Sequence, residues 1–201
     1  MTNSTKKPGG WSAVRQQLAA WEKPALIALL KDLYETAGVN RDFILARTKA
    51  DEGGGEALEK YRARIVEQFF PEHGHGKLKL GEARKAIRDY RKATGNLSGT
   101  AELLLTYVEN ATHFTNLYGD INESFYYSVE SALQELAALL RGEARVMYPQ
   151  FSDRLAKVNQ MADPVGWGFC DFVADVVGQL EDELGAGAQK ADQIVPKTDL
   201  T

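Results

Sequence analysis

Glu109 and His113 stand four residues apart, a spacing that on a helix puts two side chains on one face, within reach of a shared proton or a shared metal ion. A metal site would need further ligands from another element, and no second Glu-x-x-His or similar donor pair occurs in the chain. No nucleophile or cofactor motif accompanies the pair, so an enzyme or metal-binding protein built on Glu109 and His113 is the third of three readings. With Glu102, Thr106 and Asn116 they form one polar sector of an otherwise apolar helix, expected to be its wet side or a satisfied polar contact. His73 and His75 flank a glycine beside Glu72. Such a loop holds Zn²⁺ or Ni²⁺ weakly, and three histidines with one cysteine do not make a structural zinc site. Cys170, the single cysteine, excludes an internal disulfide and a CxxC motif, and between Phe169 and Phe172 it reads as core filler. The glycines at 53–55 lack the Gly-Lys-Ser/Thr of a phosphate loop, and no serine sits in a Gly-x-Ser-x-Gly elbow. No cofactor is called for.

The electrostatic signal is stronger. Residues 60–92 hold ten Lys/Arg against four Asp/Glu, a local balance of +6 in a chain of net charge −4. At about 100° per residue, a helix from about Leu80 to Thr94 gathers Leu80, Ala83, Ile87 and Tyr90 in one sector. Arg84, Lys85, Arg88, Arg91 and Lys92 fall in the adjoining arc, with Lys77 joining if the helix reaches back that far. This basic ridge has three uses open to it: a solvated face, a phosphate backbone bound through counterion release, or an acidic protein surface. The last includes the C-terminal stretch 163–201 of another copy, where eight Asp/Glu face two Lys.

The elements that must position these residues are helical. Apolar side chains recur at helical spacing almost throughout, period-two alternation is nearly absent, and no Asn-Gly or Asp-Gly turn joins β-rich runs. A first helix starts at Ser12 with Val14, Leu18 and Trp21 on one side, and Pro24 interrupts it before serving the first turn of a second. That second helix carries Leu26, Ile27, Leu29, Leu30, Leu33 and Tyr34, a stripe expected to be buried, with Gly38 as its closing residue. Asn40 would cap a short third helix. A fourth runs from about Glu56 to Pro71, and the fifth bears the ridge. The sixth, from about Thr100 to Tyr118, is apolar around most of its circumference and should be covered on several sides. Gly119 reads as the C-cap of the sixth, and Asp120-Ile121-Asn122-Glu123 as a capping-box-like, acidic start of a seventh with Phe125, Val129, Leu133, Leu136 and Leu140 on one face. An eighth spans about 151–161, and Asp163-Pro164 reads as the start of a ninth. The class is all-α: eight or nine antiparallel helices, as an irregular HEAT or armadillo-like array or a compact multi-helix bundle. The expected organisation is a disordered N-terminus (1–10), one helical domain (11–184) and a flexible C-terminal tail (185–201), with the glycines at 53–55 as a surface connection.

The runs Ala25-Leu26-Ile27-Ala28-Leu29-Leu30-Lys31-Asp32-Leu33-Tyr34, Ile65-Val66-Glu67-Gln68-Phe69-Phe70-Pro71, Ala83-Arg84-Lys85-Ala86-Ile87 and Tyr107-Val108-Glu109-Asn110, with the Gly119-Asp120 turn before Phe125-Tyr126, resemble a family of uncharacterised bacterial all-helical proteins catalogued only as a domain of unknown function. The resemblance covers roughly residues 12–140. It implies a helical-repeat-like fold and a bacterial or phage setting, and it brings no activity or cofactor.

No stretch reaches the ~18 apolar residues of a membrane span, and the polar N-terminus lacks the apolar segment of a secretory signal, so the expectation is a cytoplasmic protein without a membrane partner. The preferred function is a non-catalytic helical adaptor that presents a groove or the basic ridge to a protein partner, self-association included. A nucleic-acid-binding accessory protein using residues 77–92 is the alternative.

Overall fold

The computed structural model describes residues 10–49, 55–166 and 168–185, and every regular element among them is helical. The N-terminal segment, the glycine connection at 53–54 and the tail beyond 185 lie outside the described residues. Two compact units divide between Leu45 and Ala46. Among the described residues no helix is long and apolar enough to cross a membrane.

The first unit holds α1 (Trp11–Leu18), α2 (Lys23–Thr36) and most of α3 (Gly38–Thr48). Pro24 sits in the first turn of α2, where its missing N–H is not needed. Two expectations fail at the other end. Gly38 does not close α2: Ala37 breaks it in extended geometry and Gly38 begins α3. Asn40 does not cap α3, for its side-chain amide donates to the Leu33 carbonyl at 3.1 Å and so satisfies an orphan acceptor at the end of α2. The larger correction concerns the stripe. No residue of α2 is buried; Leu26, Leu29 and Tyr34 are half-buried, while Ile27, Leu30 and Leu33 stay 55%, 52% and 43% exposed. A pattern of apolar spacing specifies a face to cover, but α1, α2 and α3 make no extensive packing contact with one another, so within this unit the face is not closed over.

The second unit contains α4 (Gly55–Phe69), α5 (Leu80–Thr94), α6 (Leu97–Tyr118), α7 (Glu123–Arg141), α8 (Ser152–Ala162) and α9 (Phe169–Leu180). A 3₁₀ turn (Arg145–Gln150) precedes α8 and a π turn (Glu181–Gly185) follows α9. The expected centrality of the sixth helix holds: α6 packs against α4, α5, α7 and α8, and Leu103, Leu104, Leu105, Tyr107 and Val108 are fully buried. α7 and α8 in turn pack on α9. Phe69 sits at the middle of the core, edge-on to Tyr107 at 5.5 Å and to Phe125 at 6.5 Å.

Local signals place most of the ends. α5 stops where Gly95 takes φ +66°, a conformation that glycine alone adopts without penalty. Asn96 accepts from the Gly99 amide at 2.8 Å and opens α6 three residues earlier than expected. Asn122 does the same for α7 through the Phe125 amide. Asp163-Pro164, by contrast, does not start α9: Asp163 is still helical at the end of α8 and α9 begins at Phe169, after Gly168 at φ +73°. Instead the Ala162 carbonyl takes the Val165 amide and closes a turn there.

Candidate functional site

The polar sector of α6 is a structural contact. Glu102 and Glu109, seven residues apart on one face, meet the guanidinium of Arg154 from α8. Nε and Nη2 of Arg154 donate to the two carboxylate oxygens of Glu109 at 2.7 and 2.6 Å, and Nη1 donates to Glu102 at 2.6 Å. Arg62 of α4 donates to the other oxygen of Glu102 at 2.9 Å and to Glu59 at 2.8 Å. Paired carboxylates hold the Arg154 charge well above arginine's ordinary pKa, the Glu109 bonds contributing most. Both oxygens of Glu109 are therefore engaged, and His113 instead lies against the Phe70 ring at 5.2 Å. The α6 face does not bring Glu109 and His113 together as donors. Asn116 donates to the Met161 carbonyl at 2.8 Å and ties the far end of α6 to α8. Among the described residues no group of three or more His, Cys, Asp or Glu is placed to hold a metal ion. His73 and His75 are exposed, and Cys170 is half-buried, its thiol donating to the Asp171 carboxylate at 3.8 Å.

A cleft of about 370 Å³ opens beside this network, lined by Leu58, Arg62, Tyr90, Ser98, Glu102 and Phe151 among others. Its charged walls, Arg62 and Glu102, are paired with each other at 2.9 Å, while the Arg62 Nε is buried without a hydrogen-bond partner.

The basic ridge is thinned by the fold. Arg84 leaves it altogether: its side chain is 16% exposed and donates to Glu135 of α7 at 2.8 Å, with the guanidinium over the Tyr107 ring at 5.8 Å. Its Nη1 is buried without a hydrogen-bond partner, an unmet donor that the ring face partly compensates. Burial, opposed by the Ser128 hydrogen bond and the nearby Arg84 charge, pushes the Tyr107 phenol up. Lys85 is exposed but bonded to Asp89 one turn on. Lys77 precedes α5 and stands apart in the connection from α4. What remains is Arg88, Arg91 and Lys92, all exposed, with no carboxylate bonded to them among the described residues.

A fourth cation joins them. Arg47, at the end of α3, donates to the Lys92 and Ala93 carbonyls at 3.0 and 3.3 Å. These are orphan acceptors at the negative end of the α5 dipole, where cations are favoured. The C-terminal half of α5 thus carries a compact edge of Arg47, Arg88, Arg91 and Lys92, while Arg62, Arg84 and Arg154 are taken up by ion pairs between helices. Arg47 and Arg154 were both missed in the sequence. Arg154 had a signal, since two carboxylates on one face of an apolar helix demand a cation. Arg47 had none beyond its place in the last turn of a helix.

Comparison with protein-family models, with curated proteins and with solved structures returned no match.

Proposed function

We propose that the chain is a non-catalytic helical interaction module whose second unit docks an acidic protein surface through the cationic edge of α5. The observation that carries this reading is the sorting of charge: Lys60, Arg62, Arg64, Arg84 and Lys85 of the 60–92 stretch are ion-paired or packed on a ring, while the exposed Arg88, Arg91 and Lys92 gather with Arg47 on the C-terminal half of α5, and Lys77 and Lys79 stand before that helix. An edge of four cations suits a carboxylate-bearing patch, where fixed geometry and hydrogen bonds add to charge. It suits a nucleic acid less well, because about four phosphate contacts give a salt slope of only about −3.6, weak at physiological ionic strength.

The test is the double variant Arg88→Glu/Arg91→Glu. Both side chains are exposed, so folding should be unaffected. Affinity capture from cell extract should recover one stoichiometric protein partner with the wild type and lose it with the variant, and the wild type should not be retained on duplex or single-stranded DNA or RNA at ~0.15 M salt. Sub-micromolar nucleic-acid binding at that salt, lost in the variant, would replace this reading with the nucleic-acid one.

A further inference from the structure

The acidic counterpart of the α5 edge lies in the same unit of the same chain. From Asp163 to Gly185 there are six carboxylates and no Lys or Arg. Arg141 holds Glu183 at 2.7 Å. Asp163, Asp171, Asp175, Glu181 and Asp182 are exposed, with no cation bonded to them among the described residues. Asp171 and Asp175 stand one turn apart on α9, and Ala174 and Gly178 share their sector, so small side chains leave room for another helix beside the two carboxylates. Between α8 and α9 runs a groove of about 510 Å³ lined by Asn159, Gln160, Asp163, Cys170, Asp171 and Ala174. It gathers two carboxylates and two side-chain amides, an acceptor set suited to the several donors of a guanidinium.

We infer that the acidic surface docked by the α5 edge is this α8–α9 face of a second copy, so that the protein self-associates head to tail. The inference rests on the α5 reading and names its partner. Charge complementarity selects the second copy. The edge carries Arg47, Arg88, Arg91 and Lys92, the face carries five carboxylates without a cation, and each is a surface of a single sign. One copy does not satisfy its own edge, because α5 packs on α4 and α6 whereas α9 packs on α7 and α8. The spacing agrees as well: Arg88 and Lys92 are four residues apart, as are Asp171 and Asp175, about 6 Å along either helix axis, so two ion pairs form in one register. That leaves the Arg91 guanidinium for the groove beside Asp171. An acidic α8–α9 face repels phosphate, which sets this contact apart from any nucleic-acid use of the edge. Because two different faces meet, the contact is heterologous and adds copies in succession.

Sedimentation equilibrium on the full chain tests this. At tens of micromolar and ~0.02 M salt the average mass should exceed the 22.2 kDa of one chain and rise with concentration, and at ~0.5 M salt it should fall back to that value as the charges are screened. Arg88→Glu/Arg91→Glu and Asp171→Lys/Asp175→Lys should each sediment as single chains, because like charge then meets like. Mixed in equal amounts the two variants should associate again, each supplying the sign the other has lost, a rescue that a merely unfolded variant cannot give. Asp171→Asn/Asp175→Asn keeps the side-chain shapes and should still weaken association at least tenfold. A wild type that sediments as one chain at low salt overturns the inference. Self-association that survives either charge reversal, an Asn variant of unchanged affinity, or folded variants that stay apart when mixed overturns it too, since the copies would then meet elsewhere. If a single-chain wild type still captures an acidic protein and loses it on Arg88→Glu/Arg91→Glu, the α5 reading stands and only the second copy is refuted. If that substitution loses neither a copy nor a captured protein, the α5 reading falls as well.

Discussion

Replacing Arg154 by methionine keeps most of the side chain's length and removes its charge. In the native structure this guanidinium makes three charge-assisted bonds of 2.6–2.7 Å to two carboxylates. The side chains of Arg154, Glu109 and Glu102 are 31%, 25% and 20% exposed, which places the network between two limits. Breaking a fully buried pair costs about 3–5 kcal/mol because the partner is left charged and dry; a surface pair is worth about 0–1 kcal/mol. Glu102 keeps Arg62 at 2.9 Å, so the loss falls mostly on Glu109, which has no other ion pair. The expected destabilisation is about 2 kcal/mol, read as a lower urea midpoint with an unchanged slope. Glu109→Gln removes the stranded charge, so it should cost less in the Arg154→Met background than in the wild type, by about 1–2 kcal/mol in a double-mutant cycle. A cost below about 0.5 kcal/mol for Arg154→Met, or a cycle with no coupling, would show that water already screens these charges and that the α6–α8 contact rests on apolar packing and the Asn116 hydrogen bond.

Leu104→Asp, at a fully buried position of α6, should cost several kcal/mol by placing an unpaired charge in the core, and an unchanged thermal midpoint would show that α6 is not central. Gly99→Ala should destabilise by about 1–3 kcal/mol despite the better helix propensity of alanine, because a Cβ there would collide with the Tyr90 phenol; combining it with Tyr90→Phe, which removes the hydroxyl, should recover part of that loss. Tyr126 is pushed up to about 12, first by burial and then by its hydrogen bond to Asp120 and that carboxylate's charge. A folded pKa above the unfolded value of ~10 means its contribution to stability is complete below that pH and is lost as pH rises toward about 12. The melting temperature of Tyr126→Phe should therefore fall less steeply over that window than the wild type's, and parallel curves would refute the assignment.

Much of the helix map was legible in the sequence because its determinants are local. Apolar side chains at helical spacing, Gly95 after Thr94, and the polar start Asp120–Glu123 ahead of Phe125 act within a few residues of themselves, so the register of α5 and the buried face of α7 could be read without the fold. The centrality of α6 was legible for a related reason: a helix apolar on nearly every side has few places to go. Long-range pairing was not legible. Nothing in the spacing of Arg84, Arg88 and Arg91 says that the first finds Glu135 while the others remain in solvent, since that depends on where α7 lies. The Glu109 and His113 spacing was equally real, yet Arg154 arrives from forty-five residues away and occupies both oxygens. The α2 stripe separates the two levels most clearly. Local sequence determines that an apolar face exists there. Whether it is covered depends on how much neighbouring surface the chain brings to it, and that is a property of the tertiary structure alone.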